Sequence, residues 1–115
     1  EYAASILRPF VREQCAWCIE KHGDFQLVYY ATHVGANPDK REAYRDSPYF
    51  DDCATFCERW DQASFDPAYD TLPIGFFVEM VRRVFARAPY DPEVMRPGAR
   101  EPLINSAAQD ARRRA

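Results

Sequence analysis

Apolar positions in this chain recur at intervals of three and four, the period at which residues of an α-helix share a face. In "PFVREQCAWCIEKHG", residues 9 to 23, the side chains of Val11, Cys15, Cys18 and His22 fall within one narrow stripe. Pro9 suits a first helical turn and Gly23 suits the position just past a helix end, so a helix is predicted between them. Asp24 then reads as the N-cap of "FQLVYYATHVG", which Gly35 and "ANP" stop. A short helix is predicted over residues 39–45. Ser47-Pro48 is the clearest start signal and launches "PYFDDCATFCERWDQASF", with Asp51 and Asp52 in the first turns, where the helix dipole favours negative charge. Phe50, Cys53, Cys57 and Asp61 form a second stripe like the first. "DPAYDTLP" reads as a loop. "IGFFVEMVRRVFARAP" reads as an amphipathic helix carrying Phe76, Phe77, Met80, Val81, Val84 and Phe85.

No stretch alternates at period two. The pattern therefore predicts an all-α fold of four or five helices over residues 1–90. Pro89, Pro92, Pro97 and Pro102 then predict an extended or partly disordered arm over 91–115.

Composition narrows this picture. A length of 115 residues suits one domain. Aromatics reach 15 %, enough for a real core, because each buried ring removes roughly 150–250 Å² from water. The net charge is −3 and no basic stripe interleaves with aromatics, so no nucleic-acid partner is expected. The terminal "ARRRA" reads as a solvated basic end. There is no apolar run of about 18 residues, so no membrane-spanning helix is expected. With no secretory leader visible, a cytoplasmic protein is expected. The chain starts at Glu1 rather than Met, as a processed product or a part of a longer polypeptide would.

Four cysteines invite three chemical readings. Cys15/Cys18 and Cys53/Cys57 could together form a zinc site, although zinc cysteines usually sit on tight turns rather than inside helices. A redox pair needs its first cysteine near a helix N-terminus, and the predicted helix puts Cys15 in mid-helix. The expected role is packing, since free cysteine behaves as a small apolar residue. What the cysteines point to is more informative. Each stripe ends in an ionisable residue, His22 on one helix and Asp61 on the other. Burying such a group unpaired costs several kcal/mol, so each needs a partner or a metal. Without a metal, His22 would hydrogen-bond a carbonyl, and Asp61 would pair with Arg59, Arg82 or Arg83.

The segments "CIEKHGDFQLVYYATHVG", "SPYFDDCATFCERWDQASFDPAYDTLP" and "FFVEMVRRVFARAPYDP" resemble the C-terminal half of HD-domain proteins, over roughly residues 10 to 92. The likeness is to the metal-dependent phosphohydrolase-like group and, more distantly, to the mixed-valent di-iron oxygenases that include myo-inositol oxygenase and the phosphonate-cleaving enzymes. It implies a helical bundle and a di-metal centre, with iron the expected metal. His22 and Asp61 fall at the positions of late ligands, the latter in the aromatic-Asp step "RWDQASFDP". Tyr29, Tyr30, His33 and Gln62 lie near them in sequence and are the candidates to face a small-molecule substrate, with helix packing the alternative role for Tyr29 and Tyr30.

Two departures from the family pattern matter. There is no His-Asp dipeptide, so the early ligands must come from the rest of the HD domain, upstream or on another chain. Phe65 also stands where the oxygenases have a substrate-contacting lysine. The resemblance thus leaves two functions open. One is a part of a metal-dependent hydrolase or oxygenase that is inactive alone. The other is a helical interaction subunit that has lost its metal site.

Overall fold

The computed structural model describes residues 1–96, and these form an all-α fold with no strand. Five α-helices follow in order: α1 (Tyr2–Leu7), α2 (Glu13–Val34), α3 (Phe50–Phe56), α4 (Val78–Phe85) and α5 (Pro92–Met95). Short tighter or wider helical turns extend them. A 3₁₀ turn covers Lys40–Tyr44, a π turn Cys57–Asp61 continues α3, and a 3₁₀ turn Ile74–Phe77 leads into α4. No described helix is long and apolar enough to cross a membrane.

The long helix α2 corrects the pattern-based boundaries at three points. Pro9 does not begin it. Pro9 follows α1 instead, in a turn closed by Phe10 and Val11 N–H groups donating to the Leu7 carbonyl at 2.8 and 3.2 Å. Helix α2 starts at Glu13 with Arg12 as N-cap, so Cys15 lies in its first turn and not in its middle. Gly23 does not end it either, because the helix runs on to Val34. Gly23 has ordinary helical backbone, and its open surroundings ask for no special residue. Asp24, expected as an N-cap, accepts from the Tyr44 hydroxyl at 2.8 Å and pairs with Lys40 at 3.0 Å. The predicted stop at Gly35 is correct. Its φ of 67° is left-handed, and its N–H closes on the Ala31 carbonyl, as a glycine cap does. The one break in α2 falls at Tyr30, whose φ of −144° leaves the helix.

Tertiary contacts explain why helix continues through Gly23. Phe25 is fully buried one half-turn further on. Its ring stacks on Tyr44 at 6.2 Å, meets Phe50 at 5.0 Å and takes the edge of Trp17 at 5.8 Å. One aromatic cluster thereby ties α2, the 40–44 turn and α3 together. Burying Phe25 contributes roughly 1.5–3 kcal/mol, more than the local cost of a helical glycine, about 0.5–1 kcal/mol. Cys53 and Cys57 complete this core.

Helix α4 is attached differently. Its C-terminal end docks on the α1–α2 turn through a Phe10–Phe85 ring contact at 5.2 Å. Arg87 donates to the Phe10 carbonyl at 2.8 Å. The apolar face predicted there splits into two rows. Phe76, Met80 and Val84 are half-buried, whereas Phe77, Val81 and Phe85 are exposed, Val81 by 50 %. Residues 92–95, expected to open an extended arm, form one helical turn that Asp91 caps. The rest of that arm lies outside the described residues.

Candidate functional site

The two stripes predicted from spacing face each other. Helix α2 and the α3–π segment run in the same direction with a constant offset. The Cys53 thiol donates to the Cys18 carbonyl at 3.9 Å, the Cys57 thiol to the His22 carbonyl at 3.6 Å, and Asp61 accepts from Gln26 at 2.5 Å; in each pair the partners are 35 residues apart. Cys53, Cys57 and Asp61 step by four, as do Cys18, His22 and Gln26. Small cysteine side chains let the backbones approach, and their S–H groups use carbonyls of the facing helix. Cys53 and Cys57 therefore do the packing expected of them, at 0 % and 1 % exposure. No disulfide forms, and all four cysteines are free thiols.

This register places the two expected ligands one rung apart rather than face to face. His22 is half-buried, with its ring edge-on to Phe56 at 6.0 Å. Its Nδ1 lies 2.7 Å from the Ile19 carbonyl, an oxygen that can only accept, so Nδ1 is the donor and Nε2 is the nitrogen that remains for another contact. This is the carbonyl-bonded histidine expected in the absence of a metal. It is also the arrangement in which a ligating histidine is oriented.

Asp61 pairs with none of Arg59, Arg82 or Arg83. Its carboxylate meets Gln26, the Gln26 carbonyl oxygen accepts from the Tyr30 hydroxyl, and Tyr30 sits edge-on to Phe65 at 6.4 Å. Burial pushes the Tyr30 phenol up, and the nearby Asp61 charge adds to that. Tyr30 therefore stays protonated as the donor that ends this chain of hydrogen bonds. The break in α2 falls at this residue.

Gln26 was not singled out by sequence, although continuing the α2 stripe one turn past His22 would have reached it. Of the other expected substrate contacts, Gln62 keeps a place beside Asp61. Its Nε2 is buried with no hydrogen-bond partner among the described residues. Tyr29 and His33 are exposed on α2 and take no part in the Asp61 chain. Burial, with the Glu58 charge beside it, raises the Tyr29 phenol.

The donor set fits part of a metal site and not a whole one. His22 Nε2 and the Asp61 carboxylate are suitable ligand atoms. Among the described residues, however, no three His, Cys, Asp or Glu side chains gather where they could hold an ion. The four-cysteine arrangement falls under the same statement.

A cavity of about 430 Å³ opens beside this seam, between Arg12, Cys15, Cys18, Asp52, Phe56 and Trp60. None of the expected ligand or substrate residues lines it. Cys15 and Cys18, read from sequence as packing, are half-exposed there.

Comparison with known families, curated proteins and solved structures finds no match to this chain.

Proposed function

We propose that this chain supplies His22 and Asp61 as late ligands to a metal centre of the HD type, completed by side chains from the rest of an HD domain. The enzyme so formed would be a phosphohydrolase or oxygenase acting on a small molecule. The observation that carries the reading is the pair of braced donors on one seam. The His22 ring is fixed through Nδ1 with its second nitrogen available, and one rung on the Asp61 carboxylate is held by Gln26. The orphaned Gln62 amide on the next residue supports it. A buried unpaired donor costs about 1–3 kcal/mol, and an oxygen-bearing ligand would relieve that cost.

The test is metal content of the complete protein by elemental analysis. His22→Ala and Asp61→Ala should each lower bound iron or other transition metal about 10-fold or more, while the exposed His33→Ala should not. Unchanged metal in both ligand variants refutes the proposal.

The row of exposed apolar side chains on α4 favours a second reading, a helical interaction subunit of an HD-like assembly. In that case the complete protein would be metal-free and would still associate through its helices.

A further inference from the structure

The geometry points to Cys15 and Cys18 as a dithiol modification site that exchanges with a small-molecule disulfide in the cavity beside Arg12. This inference is independent of the metal reading and uses none of its residues. Both thiols line the cavity, which at about 430 Å³ is large enough for a peptide-sized thiol. Arg12 Nε donates to the Cys15 sulfur at 3.4 Å, so a guanidinium stands where a thiolate would form. The neighbouring Cys53 side chain lowers the Cys18 thiol. Burial and the Asp52 charge oppose this, and the Arg12 charge assists. Sequence spacing alone argues against exchange, because it puts Cys15 in mid-helix. The actual start of α2 at Glu13 removes that objection.

The chemistry balances without any group beyond the disulfide. Cys18 loses its proton to solvent and attacks one sulfur of R–S–S–R. That S–S bond breaks, a mixed disulfide forms on Cys18, and RS⁻ leaves and takes up a proton. Cys15 then loses its proton to solvent, attacks the Cys18 sulfur and expels the second RS⁻, which is also protonated. The protein dithiol is oxidised to a Cys15–Cys18 disulfide, and the small disulfide is reduced to two thiols. Side chains three apart on a helix have Cβ atoms about 5–6 Å apart, whereas a disulfide needs about 3.5–4.5 Å. The first turn of α2 must therefore tighten. Its N-cap residue makes no side-chain cap, so local opening there is cheap.

Oxidised glutathione is the probe. The folded chain is incubated with it, acid-quenched, digested with trypsin and mapped by mass. The expected product carries a disulfide within the peptide spanning residues 13–21, while the peptide spanning 46–59, with Cys53 and Cys57, stays reduced until urea unfolds the chain. Cys15→Ser, checked for helicity by circular dichroism, should stop at one glutathione on Cys18. Cys15→Ala serves if the serine variant does not fold. Arg12→Gln should slow the wild-type reaction several-fold. A Cys18–Cys53 link, equal modification of all four cysteines in the folded chain, or no reaction at Cys15 and Cys18 overturns the inference.

Discussion

Helices α3 and α4 are of similar length, and both carry apolar residues at helical spacing, yet they end in opposite environments. On α3 and its π extension, Phe50, Cys53 and Cys57 are 5 %, 0 % and 1 % exposed. On α4 and the 3₁₀ turn that leads into it, Phe85 and Phe77 are about as apolar but are 42 % and 36 % exposed. Periodicity tells which face of a helix is apolar. It does not tell what covers that face. For α3 the cover is α2, selected by the aromatic cluster around Phe25 and by rungs that repeat at a fixed offset. For α4 the contact is confined to its C-terminal end, where Phe85 meets Phe10 of the α1–α2 turn.

The comparison is broken most severely at Phe25. Phe25→Ala should lower unfolding free energy by about 3–5 kcal/mol in urea titration, through lost burial and a cavity under Trp17, Tyr44 and Phe50. Val81→Ala on the exposed row of α4 should change it by no more than about 0.5 kcal/mol. Similar losses from both would mean that α4 is covered as fully as α3.

A smaller effect is expected at the attachment of the 40–44 turn. Burial raises the Asp24 carboxyl, but the hydrogen bonds from Tyr44 and Lys40 outweigh it and hold the group below its ordinary value. Asp24 therefore contributes stability above the usual carboxylate range, and that contribution is lost as pH falls through the lowered value. Asp24→Asn should flatten the acid side of the stability–pH curve, read from thermal melts between neutral and acidic pH. A curve as steep as the wild type's would place the acid sensitivity elsewhere. The smallest change is a gain. Gly23→Ala should stabilise by about 0.5–1 kcal/mol, since the position is mid-helix, exposed and open to a Cβ. A loss there would mean that α2 breaks at Gly23 after all.

These regions also show how far the sequence could be read. Helical class, the stop at Gly35 and the two stripes through Cys18–His22 and Cys53–Asp61 follow from spacing and end signals, whereas the facing of the two stripes does not. Boundaries failed where a local signal had two meanings. Pro9 serves after a helix as well as in a first turn, and Gly23 is tolerated inside α2 because Phe25 buries so much next to it. The partner of Asp61 was not legible for another reason. An arginine is the obvious electrostatic choice, whereas the register of two parallel helices delivers Gln26. The pocket character of Cys15 and Cys18 was hidden by the same misplaced helix start. The α4 face shows the limit most plainly, since an amphipathic stripe carries no information about its partner.

Asp61 engages α2 one turn beyond His22, at Gln26, and on this register the placement of both proposed ligands depends. Two double-mutant cycles in the metal-free protein test it most directly, one pairing Asp61→Ala with Gln26→Ala and the other pairing it with His22→Ala. The register predicts a coupling of about 0.5–3 kcal/mol for Asp61 with Gln26, and additive losses for Asp61 with His22. Strong coupling to His22 with none to Gln26 would contradict it.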